Sequence, residues 1–206
     1  MGRLRKTILV LGEGPTEFYY FNSLRDVLGN ITISPDYPRH TNIKDLEQKI
    51  AEGVSSGYDY IFCVIDMDTK DKEPECSLYK KMKIKYANPI IKPKKGINCV
   101  VEFFETHRCT ELFFLYYFRY TSRNYEDQNA LLQDLSKSVS YEKTANFFNK
   151  CKGLHNYFER NGGSLESAII NSNHSLEEKL ETERDYTYSE LGRLITKLKK
   201  IADSSK

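Results

Sequence analysis

Tyr60-Ile61-Phe62-Cys63-Val64-Ile65-Asp66-Met67-Asp68 decides the fold. Its apolar run, closed at once by two acids, reads as a strand buried on both faces, the habit of a parallel sheet covered by helices. Thr7-Ile8-Leu9-Val10-Leu11, between Lys6 and Gly12, reads the same way. Helical patterns lie between them. Pro15 or Thr16 opens a helix to about Leu28, with Phe18, Phe21, Leu24, Val27 and Leu28 on one stripe. Ile31 to Ser34 is a short strand closed by Pro35 and Pro38. Asn42 caps a helix carrying Ile43, Leu46, Ile50 and Val54, ended by Gly57. A helix from about Cys76 to Tyr86 and a strand from Ile97 to Phe103 come next. Strand and helix thus alternate, which predicts an α/β fold with a mostly parallel sheet flanked by helices.

The second half changes character. Helices are expected over Glu111–Tyr120, Leu131–Val139, Lys143–Arg160, Leu165–Glu183 and Ser189–Ala202. Asn161-Gly162-Gly163 is a turn, Ser164 or Ser189 can cap the helix after it, and Asp203 to Lys206 reads as a frayed end. The expected organisation is an α/β core over residues 1–125 and a helical extension over 126–206, packed as one compact domain. A chain of 206 residues suits that size.

Composition excludes several classes. With 39% hydrophobic and 29% charged residues, the chain is neither disordered nor membrane-like. No apolar run reaches the length of a membrane span, and the run at Thr7–Leu11 is too short for a signal peptide. Cys63, Cys76, Cys99, Cys109 and Cys151 are odd in number and show no CxxC spacing, which points to a reducing, cytoplasmic setting. The 15 Tyr read first as core-edge packing and second as base-stacking surface. The formal net charge is only +2, so a nucleic-acid partner would have to meet a local patch. Lys92, Lys94 and Lys95 form a basic loop, and Lys70, Lys72, Lys80, Lys81, Lys83 and Lys85 add charge nearby in sequence. Such a run is usually a solvated face; beside a catalytic carboxylate cluster it becomes a groove for phosphates.

Two strands end in acids. Glu13 comes after the first, inside a glycine turn, and Asp66 and Asp68 come after the second. In open α/β sheets, site residues gather where strands end. Three carboxylates at one sheet edge repel unless a cation neutralises them, and a hard cation such as Mg2+ or Mn2+ prefers oxygen ligands. Such an ion suits phosphodiester chemistry. Against this, an acid in a strand-end turn is also a common turn former or helix N-terminal charge.

Gly12-Glu13-Gly14-Pro15-Thr16-Glu17-Phe18-Tyr19-Tyr20-Phe21 resembles the opening signature of the RloB-like family, whose members look Toprim-like and are encoded near restriction and abortive-infection genes. Tyr58-Asp59, with the strand and Asp66-Met67-Asp68 after it, resembles the family's second signature. Thr110-Glu111-Leu112-Phe113-Phe114-Leu115 is similar to its Phe-Glu-Leu-Trp block, Tyr141-Glu142-Lys143 to its Tyr-x-Lys element, and Tyr186 to Leu198 to its closing helix. The chain departs at Thr106-His107-Arg108, where the family has Ser-Asn-Pro, and at Thr110, where it has an aromatic.

The resemblance implies a Toprim-like core, a helical extension and a metal-dependent nuclease role in anti-phage defence. It assigns Glu13, Asp66 and Asp68 to Mg2+ or Mn2+, with Glu13 nearest the proton transfer, and Glu111 as a further catalytic candidate. Arg108, Lys143 and Lys95 are candidate contacts to a DNA or RNA substrate. Glu17 reads as a capping residue. A partner ATPase and self-association are both open. The competing reading is a non-catalytic partner or regulator of a defence ATPase, binding nucleic acid or nucleotide through the same core. No GxxxxGK triphosphate loop supports a primase-like activity.

Overall fold

The computed structural model describes residues 6–29, 32–35 and 42–204. Ile31, Pro38, the start of the chain through Arg5 and the last two residues of the expected frayed end lie outside them. The described residues divide into two compact units, one from those within 6–65, 69–103 and 198–204, the other from residues 66–68 and 104–197.

The first unit holds β1 (Thr7–Leu11), α1 (Pro15–Leu28), β2 (Thr32–Pro35), α2 (Ile43–Ser55), β3 (Tyr60–Asp66, up to Ile65), α3 (Glu75–Lys85), β4 (Ile90–Lys92), a 3-10 turn at Pro93–Lys95 and the start of β5 (Ile97–His107). The strand order is β2-β1-β3-β5-β4. β1 pairs in parallel with β2 on one side and β3 on the other, with Leu11 opposite Cys63. β4 is the antiparallel edge, Ile90 facing Cys99. This is the mostly parallel α/β sheet that the apolar runs predicted, and five consecutive residues of β3, Ile61 to Ile65, are almost wholly buried.

Local chemistry fixes the helices. The Asn42 side chain accepts hydrogen bonds from the Lys44 and Asp45 N–H groups, satisfying donors that α2 leaves open. α2 packs on β1, and Gly53 allows the approach: a Cβ there would stand 2.7 Å from Leu9 Cδ2 and 2.9 Å from Ile61 Cδ1.

The second unit is mainly helical: α4 (Glu111–Tyr116), α5 (Gln128–Ser136), α6 (Ala145–Lys150), α7 (Leu154–Arg160), α8 (Leu165–Thr182), β6 (Tyr188–Ser189) and the first half of α9 (Leu191–Ser204), whose residues from Leu198 on belong to the first unit. All six residues of α4 are fully buried. A helix apolar nearly all round belongs at the centre, and α5 and α8 pack against it. Phe158 places its ring 4.9 Å from that of Phe114 and 5.2 Å from that of Tyr117. The core-packing reading of tyrosine holds here: Tyr116 and Tyr117 are buried, their hydroxyls meeting the Thr121 carbonyl and His155 Nδ1.

Three expectations need correction, and two strands were missed. The helix expected over Lys143–Arg160 is two, because Lys152 and Gly153 adopt φ of 54° and 97°, a left-handed step that no α-helix accommodates. The helix from Glu111 stops at Tyr116, not Tyr120, and the Asn171 amide and the Ser164 N–H take the Tyr116 and Tyr117 carbonyls. The strand expected to end at Phe103 continues to His107, because Thr106 and His107 find partners in β6 more than 80 residues later in the chain. β4 and β6 themselves went unforeseen, being only three and two residues long.

Candidate functional site

In the first unit, Glu13 stands in the turn after β1. Its Oε2 accepts a hydrogen bond from Lys70 Nζ at 2.6 Å, and the Lys70 side chain is only 7% exposed against 19% for Glu13. Sequence reading placed Lys70 among solvated lysines; nothing in a charged turn marks one lysine as buried. Glu17 caps, as expected: its Oε2 accepts the Gly14 N–H at 2.8 Å. This bend explains Gly12, where a Cβ would lie 2.3 Å from Glu17 Cβ. Lys95 is exposed in the 3-10 turn.

In the second unit, Asp66 is held from the start of α4. Its Oδ1 accepts the Thr110 N–H at 2.9 Å and the Thr110 hydroxyl at 3.2 Å. Thr110, which departs from the family pattern, thus positions a predicted site residue. Glu111 is fully buried, and its carboxylate accepts from Tyr141 Oη at 3.1 Å, Lys143 Nζ at 3.1 Å and Gln128 Nε2 at 3.3 Å. Sequence spacing did not reveal Gln128 as a partner. Cys109 sits beside this group. Its burial, then the nearby Glu111 and Asp66 charges, hold its thiol well above the ordinary value, which makes it a poor nucleophile. Arg108 donates through Nε to the Tyr125 carbonyl at 3.1 Å. Asp68 is exposed.

Asp66, Asp68, Glu111, Arg108 and Lys143 therefore belong to one unit, while Glu13 and Lys95 belong to the other. Carboxylates are the donors a hard cation prefers. Among the described residues, however, no three His, Cys, Asp or Glu side chains form a group that could hold a metal ion. The positive charge on Glu13 here is the Lys70 ammonium.

By its fold the chain is an α/β protein with a mostly parallel sheet, whose parallel neighbours β1 and β3 are each followed by acids. The family described as RloB-like protein matches residues 8–198. The chain belongs to the RloB-like protein family. No curated protein and no solved structure matches it. Among the described residues no helix is long and apolar enough to cross a membrane.

Proposed function

We propose that the chain hydrolyses phosphodiester bonds in DNA or RNA, with Mg2+ or Mn2+ recruited by Glu13, Asp66 and Asp68, as part of an anti-phage response. The observation that supports this most is the sheet. β1 and β3 are parallel neighbours, and acids succeed both at their C-terminal ends, the usual place for site residues in open α/β sheets. Membership of the RloB-like family adds to it. The hydrogen bonds from Thr110 orient the Asp66 carboxylate, and Glu111, by anchoring Lys143 and Tyr141, acts as a positioning residue. A cation reaching Glu13 would compete with the Lys70 ammonium.

The test incubates the purified chain, alone and with any ATPase that co-purifies with it, with labelled single- and double-stranded DNA, RNA and tRNA in Mg2+ or Mn2+. Cleavage by the wild type, lost in Asp66→Asn and Glu13→Gln variants that keep the native circular dichroism, is the expected result. A wild type that cuts none of them under any of these conditions would sink the proposal.

The Lys70–Glu13 pair favours a second reading, in which the chain is a non-catalytic partner of a defence ATPase and the carboxylates serve structure alone. That reading wins if Asp66→Asn and Glu13→Gln variants still protect cells against phage.

A further inference from the structure

The first unit carries an electrostatic feature that the carboxylate site does not use. Between Cys76 and Val101 the sequence holds seven lysines and no aspartate or glutamate. The chain as a whole is +2, so everything outside this segment sums to −5. A segment of mixed surface character would hold several of the 29 acids. Their absence leaves a like-charged face that costs self-repulsion unless a polyanion relieves it.

The fold puts these lysines outside. α3 buries Tyr79 and Met82; Lys80 and Lys81 stand on the opposite arc of the helix, Lys83 and Lys85 flank the buried pair, with the Lys83 ammonium 4.8 Å from the centre of the Tyr79 ring, and all four are exposed. Lys92 on β4 and Lys94 and Lys95 in the 3-10 turn are exposed too. A shared depression of about 320 Å³, lined by Lys85, Tyr86, Ile90, Lys92 and residues of α2, joins the helix lysines to the strand lysines. Lys85 pairs with Glu47. Among the described residues Lys80, Lys81, Lys92, Lys94 and Lys95 have no carboxylate within ion-pair distance. Lys83 and Lys85 also suit the negative C-terminal end of α3; the other five answer to no such local need.

From this we infer that the α3–β4 lysine face is a sequence-independent docking surface for the phosphate backbone of a nucleic acid. The inference rests on the nucleic-acid substrate class of the proposed function and assigns that substrate a second, non-catalytic contact. A membrane surface fits less well. A helix that enters lipid presents a continuous apolar face, whereas α3 turns Tyr79 and Met82 into the protein and leaves mainly lysine outside, with Leu78 38% and Ile84 76% exposed among them. Flexible point-charge lysines with no guanidinium fork also match backbone contact better than base readout.

The test measures binding of the full-length chain, in EDTA so that cleavage does not interfere, to fluorescein-labelled single-stranded DNA, the matching RNA and the duplex, across a salt series. Vesicles of phosphatidylcholine with phosphatidylserine form a parallel arm. Five lysine–phosphate contacts predict a slope of log K against log salt of about −3.5 for single strands and about −4.5 for duplex. Affinity should therefore fall roughly 100- to 500-fold between about 50 and 200 mM salt. The Lys80→Gln, Lys81→Gln, Lys92→Gln, Lys94→Gln, Lys95→Gln variant should lose most of that slope and keep the wild-type circular dichroism. A control with Lys44→Gln, Lys150→Gln and Lys152→Gln, also at exposed positions, should bind like the wild type. Equal affinity and slope in the fivefold variant and the wild type would overturn the inference and leave the nuclease reading standing. So would binding to the vesicles with none to nucleic acid. Lysine-dependent binding without cleavage in Mg2+ supports the inference and counts against the nuclease reading alone.

Discussion

Replacing Lys70 by Met removes the ammonium from Glu13 while the methionine keeps most of the buried stem. Breaking a fully buried ion pair costs about 3–5 kcal/mol, because one charge is left unpaired, whereas an exposed pair contributes at most about 1 kcal/mol. Lys70 is buried, but the Glu13 side chain keeps 19% exposure, so water takes over part of its solvation. The expected loss is about 2 kcal/mol, between those limits. For a chain of this size that lowers the thermal midpoint by roughly 4–8 °C. The assay is thermal unfolding by circular dichroism in EDTA, then Mg2+ titration of both proteins. If a divalent cation uses Glu13, it should restore Lys70→Met more than it raises the wild type, where Lys70 already holds the carboxylate. Recovery of about 2 kcal/mol requires free Mg2+ near 30 times its dissociation constant. A Lys70→Met midpoint equal to wild type in EDTA would show that the pair contributes nothing. Equal Mg2+ responses in the two proteins, or an undiminished response in Glu13→Gln/Lys70→Met, would refute the idea that cation and ammonium compete for Glu13.

Packing and charge set two further outcomes. Gly53→Ala should destabilise by about 1–2 kcal/mol in urea unfolding: its Cβ meets Leu9 and Ile61 below 3.0 Å, and this overpacking exceeds the helix-propensity gain of about 1 kcal/mol. Burial works to raise the Asp134 carboxyl, but hydrogen bonds from Lys137, Tyr125 and Arg119 outweigh it and hold the group well below the usual carboxylate range. A depressed folded value contributes stability above the unfolded value near 3.9, and that contribution is lost as pH falls through the acid range. Asp134→Asn should therefore lie about 2 kcal/mol below wild type at neutral pH, by the worth of hydrogen bonds to a charged group, and the gap should shrink below about pH 4 in urea titrations.

Where sequence reading succeeded, short-range physics was enough. The short apolar runs at Thr7–Leu11 and Tyr60–Ile65 announced central parallel strands, since runs of five or six residues rich in β-branched and aromatic side chains suit a strand covered on both faces. Asn42 and Ser164 announced helix starts, because their side chains reach N–H groups two or three residues on. Glu17 was legible as a cap for the same reason.

The features that escaped the sequence depended on partners far along the chain. β6 exists because Ser189 and Tyr188 pair with Thr106 and His107, and two residues carry no periodicity. The Glu111 partners Gln128, Tyr141 and Lys143 arrive from 17 to 32 residues later, through chain turns that residue spacing cannot encode. Lys70 shows the limit most clearly. The sequence by itself determined that carboxylates stand just past two buried parallel strands. Only the tertiary structure decided that a lysine 57 residues away neutralises one of them, because burial of a flexible, charged side chain is set by the surfaces that close over it and not by its neighbours in sequence.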